Sequence, residues 1–111
     1  MERLFNKLVR DNIPNKIKNN GEEAIIRVLS IEEYKIELYK KLEEEKNEVI
    51  NSKNKEELIE ELADLLEVLD AIMSVNNISK EQVNNVKEEK ILKRGGFSKR
   101  IYLEKTISNK D

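Results

Sequence analysis

Two groups of acidic residues have spacings suited to holding a divalent cation. The first is Glu44-Glu45-x-x-Glu48, and the second is Glu61-x-x-Asp64. Residues three or four positions apart share one face of a helix, so each group can direct two carboxylates toward one point. Carboxylate oxygens are hard ligands, and Mg²⁺ or Mn²⁺ is the metal that suits them best.

The residue types that the chain lacks narrow the chemistry further. It has no cysteine and no histidine, which excludes thiol nucleophiles, histidine bases, the usual zinc sites and Ser-His-Asp triads. The remaining polar groups are 23 acidic side chains, 21 basic side chains and a few hydroxyls. An enzyme with these residues would use a divalent cation bound by carboxylates.

The composition predicts one folded domain, residues 1–111, of mainly α class. The chain is 38% hydrophobic and 40% charged, with Leu, Ile and Val at helical spacing between the charges. The net charge of −2 gives no reason to expect a nucleic-acid partner. No apolar run is long enough for a membrane span, and no signal peptide is evident, so we expect no membrane partner and a cytoplasmic location.

Three long helices are predicted to position the acids. Each begins with a side chain that can accept a hydrogen bond from the backbone N–H three residues later, as in a capping box. Gly95-Gly96 should end the third helix. The predicted ranges are Ser30 to about Ile50, Asn54 to about Val75, and Ser79 to near Arg94.

Shorter elements are predicted near both ends of the chain. Residues 7–21 read as a short extended piece and a short helix, with Asp11 or Asn12 as its cap, Pro14 in its first turn and Gly21 at its end. The β-branched residues of segment 24–29 predict a short strand. Segment 97–107 alternates weakly, and we expect a second strand there that pairs with the first.

Helical periodicity separates some of these acids from ordinary surface charges. Glu45 falls within an apolar stripe of the first long helix, Glu48 lies at its edge, and Glu44 lies further out. On the second long helix, Glu61 is in line with an apolar stripe, and Asp64 follows one turn later. A carboxylate that faces a core is normally paired, protonated or bound to metal. The alternative is surface salt bridging, which fits Glu44 best.

The acidic pattern resembles the E-E-x-x-E…E-x-x-D signature of the MazG-like, all-α nucleoside triphosphate pyrophosphohydrolases. Two flanking motifs extend the resemblance over about residues 4–104, and they are similar to those of a small, single-domain, phosphoribosyl-ATP pyrophosphohydrolase-like branch. These motifs are Lys7-Leu8-Val9-Arg10-Asp11 with Ile13-Pro14, and Arg94-Gly95-Gly96-Phe97 with Arg100. The expected fold is therefore a helical bundle of this type with a short β element near both ends.

The resemblance implies Mg²⁺-dependent hydrolysis between the α- and β-phosphates of a nucleotide, giving a nucleoside monophosphate and pyrophosphate. A house-cleaning role is expected. The implied metal ligands are Glu45, Glu48, Glu61 and Asp64. Glu44 and Glu45 are the catalytic candidates, with Glu44 orienting water or holding a second metal ion.

Residues of the flanking motifs are candidates for substrate binding. Arginine offers a bidentate fork to phosphate, lysine offers a point charge, glycine backbone N–H groups can approach an anion, and Phe97 can stack on a base. The alternatives are a helix cap for Asp11, a helix C-terminus with its cations, and a core position for Phe97. The candidates are Lys7, Arg10, Asp11, Lys93, Arg94, Gly95, Gly96, Phe97 and Arg100.

Three main helices leave much apolar surface, which predicts a homodimer or a larger homo-oligomer. The second long helix carries two adjacent apolar stripes; they consist of Leu58, Leu62, Leu66, Leu69 and Met73, and of Leu65, Val68, Ile72 and Val75. Two other functions stay open. One is phosphoribosyl-ATP pyrophosphohydrolase of histidine biosynthesis, and the other is a non-catalytic helical interaction protein.

Overall fold

The structure, a computed structural model, describes residues 1–108 and confirms the mainly α class. Four helices lie within these residues: α1 Ile13–Asn19, α2 Ile31–Ile50, α3 Lys55–Val75 and α4 Lys80–Arg94. The three long helices end where the sequence predicts. No described helix has the length and apolar character of a membrane span.

Side-chain caps determine where the three long helices begin. The Ser30 hydroxyl accepts a hydrogen bond from the Glu33 backbone N–H at 3.2 Å, and the Glu33 carboxylate accepts from the Ser30 backbone N–H. The Asn54 side chain accepts from the N–H of residue 57 at 2.8 Å. Ser79 and Gln82 form the second capping box, with bonds of 3.1 and 2.8 Å. These caps satisfy N–H groups that have no partner within the helix.

The short helix α1 begins after Asn12, one of the two predicted cap residues, and ends as predicted. Asn12 is the N-cap residue, without a side-chain hydrogen bond, and Pro14 lies in the first turn. At the other end, Gly21 has φ of +85°, which glycine adopts at little cost. The N–H of Glu22 donates to the carbonyl of Ile17 at 3.2 Å. This 6→1 bond is typical of a Schellman motif.

The two predicted strands are not formed within residues 1–108. Segment 24–29 is non-helical and leaves Ile25 and Val28 largely exposed, and segment 97–107 leaves Tyr102 largely exposed. β-branched composition favours extended backbone, but a strand also needs a partner for its N–H and C=O groups. No such pairing forms in either segment, so the β prediction is wrong for the described part of the chain.

The helices α2 and α3 pack against each other through a four-residue connection, residues 51–54. A loop this short joins antiparallel neighbours. Leu38 of α2 and Val68 of α3 are 3% and 8% exposed, which makes them the most buried apolar residues of these two helices. The stripe of α3 that contains Val68 is therefore the one that faces α2.

The chain divides into two compact units, one comprising Met1–Ile78 and the other beginning at Ser79. The first unit holds α1, α2 and α3. The second holds α4 and the following segment, and all of its described residues are exposed.

Candidate metal centre

Three carboxylates converge where α2 faces α3. Glu45 comes from α2, and Glu61 and Asp64 come from adjacent turns of α3; each offers one oxygen, and these oxygens all lie within 4.8 Å of one another. Oxygens that bind one cation at about 2.0–2.6 Å are themselves no more than about 4–5 Å apart. The spacing and the all-carboxylate donor set therefore fit a hard divalent cation.

Burial distinguishes this cluster from ordinary surface charge. Glu45 is 9% exposed and lies on the same side of α2 as Leu38, while Glu61 and Asp64 are half-buried. The packing of α2 on α3 thus holds one carboxylate inside and leaves the other two open to solvent. A cation could enter from the solvent side and find a preformed inner ligand.

The cluster is strained electrostatically, as the Glu45 carboxyl illustrates. Its burial raises the pKa of Glu45 most strongly; Lys41 lowers it, while the charges of Asp64, Glu44 and Glu48 raise it. The pKa of the Glu61 carboxyl is also raised, first by loss of hydration and then by the neighbouring carboxylates. A cation between these groups would remove the repulsion.

Two of the predicted metal-site acids have different surroundings. Glu48 is exposed and is not a member of the close group, although its charge raises the pKa of both Glu45 and Glu61. Glu44 is half-buried, and its Oε1 lies 3.9 Å from the Lys7 Nζ and 3.5 Å from that of Lys41. The described arrangement therefore gives Glu44 two lysine neighbours.

The N-terminal candidates lie in the same unit as the acids. The Arg10 guanidinium donates to Asp64 Oδ1 at 2.7 Å, and Lys7 approaches Glu44. Lys7, Lys40 and Lys41 also line a small depression beside Glu44. Asp11 is exposed and is not the N-cap of α1, a position that Asn12 occupies.

The C-terminal candidates belong to the second unit. Lys93 and Arg94 lie in the last turn of α4, where positive charge suits the helix dipole, and Gly95 is the C-cap with φ of +78°. Gly96 follows, and Phe97 is 98% exposed, so it is not a core residue. The backbone N–H of Arg100, which has φ of +56°, donates to the carbonyl of Phe97 at 3.1 Å and closes a turn.

Lys41 is a site residue that the sequence motifs do not include, because Lys40-Lys41 has the charge pattern of an ordinary solvated helix face. Its side chain is only 19% exposed, and its Nζ lies 3.9 Å from Glu45 Oε1. The side chain of Lys40, by contrast, is 72% exposed. The spacing of four residues between Lys41 and Glu45 was the available signal, because such pairs are neighbours on a helix.

No family model matches the chain, and no curated protein or solved structure shows significant similarity to it.

Proposed function

We propose that the chain is a Mg²⁺-dependent nucleotide pyrophosphohydrolase that cleaves between the α- and β-phosphates. The observation that carries the proposal is the convergence of Glu45, Glu61 and Asp64 from two helices. These residues belong to the acidic pattern that resembles the MazG-like signature. A carboxylate-bound Mg²⁺ neutralises polyphosphate charge and activates water without any histidine, and Mn²⁺ could replace it.

The residues of the first unit take distinct roles in this proposal. Glu45, Glu61 and Asp64 hold the cation. The negative charge of Glu48, which acts on the same group, also attracts it. Glu44 orients the attacking water, and Lys7 and Lys41 lie beside its carboxylate. Arg10 holds phosphate oxygens, for which the fork of a guanidinium is well suited.

The proposal assigns the residues of the second unit to substrate binding as well. Lys93, Arg94 and Arg100 supply positive charge for the leaving pyrophosphate, and Gly95-Gly96 offers backbone N–H groups to an anion. The exposed ring of Phe97 supplies a surface on which a base can stack. These roles follow from the resemblance and from the chemistry of the side chains.

The product distinguishes this reaction from others that a carboxylate site can perform. Nucleoside triphosphates with Mg²⁺ should give monophosphate and pyrophosphate, measured by separating the products. Release of diphosphate and orthophosphate would defeat the proposed bond. Turnover of phosphoribosyl-ATP alone would favour the histidine-pathway enzyme. No turnover of any of these substrates would favour a helical interaction protein, although that function gives no reason for a buried Glu45.

We further propose that a second copy of the chain covers the outer face of α3. Ile59, Leu62 and Leu66 lie on this face and are 57%, 42% and 61% exposed, at spacings of three and four residues that make one stripe. A two-fold pairing of such faces would place two α2–α3 pairs in one four-helix bundle. Two copies of this apolar stripe can pack against each other, which favours a second copy of the chain as the partner.

The oligomeric state tests this second proposal. Sedimentation of the wild-type chain should show a dimer or larger species whose melting temperature rises with concentration. Leu66→Lys should shift it toward monomer, whereas Val28→Lys, a change at another exposed apolar residue, should not. A compact 13.0 kDa wild-type species that melts independently of concentration would contradict the proposal.

A further inference from the structure

The ion pair between Arg10 and Asp64 joins two parts of the first unit that are 54 residues apart in the chain. At 2.7 Å it is a close contact with a carboxylate of the candidate metal centre. A second cation of the same segment, Lys7, lies 3.9 Å from Glu44 of the acidic pattern. We call residues 7–12 the N-terminal arm; its two cations both face acids of α2 and α3.

The Arg10–Asp64 ion pair is exposed enough for a cation to replace the guanidinium. The Arg10 side chain is 59% exposed and that of Asp64 is 43% exposed, and ion pairs at such exposure contribute little net stability. A divalent cation at the centre would be attracted by three carboxylates instead of one. It would also repel the guanidinium, because the two positive charges would share Asp64.

A backbone hydrogen bond connects Arg10 to the start of α1. The N–H of Ile13 donates to the carbonyl of Arg10 at 3.1 Å, so a turn joins the arm to the start of α1. Pro14 fixes the backbone at that point. Release of the guanidinium would therefore change the mobility of the arm as well as that of one side chain.

We propose that Arg10 competes with the divalent cation for Asp64, so that cation binding releases the N-terminal arm. The released guanidinium is then free to bind an anionic group of the substrate. The order of events is cation first and polyphosphate second. This inference rests on the proposed metal centre, and it adds that one of the chain's own cations sets the affinity of that centre.

The affinity for Mn²⁺ tests the competition directly. Titration of the full chain, followed by the electron paramagnetic resonance signal of free Mn²⁺, should show Arg10→Gln binding about two- to fivefold more tightly than wild type. Arg10→Lys should remain close to wild type. The control is Arg27→Gln, which removes a guanidinium–carboxylate pair of 3.1 Å with Glu33 outside the centre and should leave Mn²⁺ affinity unchanged.

The opposite result would overturn the inference. Weaker Mn²⁺ binding in Arg10→Gln would show that Arg10 orients Asp64 as a ligand, since hydrogen bonds to metal ligands normally strengthen binding. An affinity equal to that of Arg27→Gln would also overturn it, while leaving the metal centre and the hydrolysis proposal intact. Wild-type chain that binds no Mn²⁺ at all would defeat the metal centre and this inference together.

A measurement on the wild-type chain tests the inference even if a variant fails to fold. Backbone ¹⁵N relaxation of residues 7–12 should show larger-amplitude motion after addition of Mg²⁺, while residues 24–29 should not change. An arm that becomes more ordered with Mg²⁺, or does not respond, would contradict the proposed release.

Discussion

The helices α3 and α4 begin in the same way and end in different environments. Each has a polar N-cap side chain that accepts a backbone hydrogen bond, and each carries several glutamates. In α3, packing against α2 buries Val68 and brings two carboxylates to a third. In α4 no residue is buried. An acidic helix thus becomes a candidate site only where a facing helix supplies the third carboxylate and buries part of the group.

The largest expected effect comes from removing an acid of the packed pair. Glu45→Gln and Asp64→Asn should each lower the rate of pyrophosphate release on the order of 100-fold or more, because even outer-shell changes at metal sites cost 10- to 100-fold. Glu89→Gln, at an exposed position of α4, is the matched control and should retain the wild-type rate. The measurement is the rate of pyrophosphate release with Mg²⁺ and a nucleotide that the wild-type chain hydrolyses. Full turnover by Glu45→Gln would remove the cluster from the mechanism.

A smaller effect, on stability, is expected when the capping serines are replaced. Ser30 and Ser79 both form capping boxes, but they cap helices in different surroundings. Ser30→Ala should lower the free energy of unfolding by about 1 kcal/mol, because the helix that it caps forms the buried contact. Ser79→Ala should mainly increase amide exchange in the first turn of α4, with little change in the melting of the α2–α3 pair. Calorimetry and hydrogen exchange measure the two outcomes. Equal losses of melting temperature would show that α4 belongs to the same cooperative unit.

The smallest effect concerns the pH dependence of stability without divalent cations. Because the folded-state pKa of Glu45 is raised, ionised Glu45 destabilises the fold at neutral pH. This penalty disappears as the pH falls through the raised pKa toward the ordinary value of about 4.3. In the presence of chelator, Glu45→Gln should therefore stabilise the chain at pH 7 by about 1 kcal/mol or less, the scale of ionic effects at partly solvated sites.

Denaturant unfolding at several pH values checks this sign. The advantage of Glu45→Gln should shrink as the pH approaches 4, and saturating Mg²⁺ should reverse it by stabilising the wild-type chain alone. A glutamine variant that is less stable than wild type at pH 7 in chelator would show that the pairing of Glu45 with Lys41 outweighs the repulsion.

The sequence alone predicted the helices well, because their limits depend on nearby residues. Ser30, Asn54 and Ser79 cap through bonds to the backbone three residues later, and Gly21 ends α1 through its own conformation. The inward position of Glu45 also followed from periodicity. These features need no knowledge of distant contacts, since hydrogen bonding and helical geometry operate within a few residues.

Only the tertiary structure decided which residues meet across the first unit. In the tertiary structure, segment 24–29 has no strand partner among residues 1–108 although its residues favour a strand. The side chain of Lys41 is turned inward, whereas that of its neighbour Lys40 points to solvent. The tertiary structure also brought Arg10 to Asp64. Such contacts depend on how α2 and α3 pack and where the connecting backbone runs. Local preferences determine that a helix or a charge is present, but packing determines the partner, because burial and ion pairing act between surfaces distant in sequence.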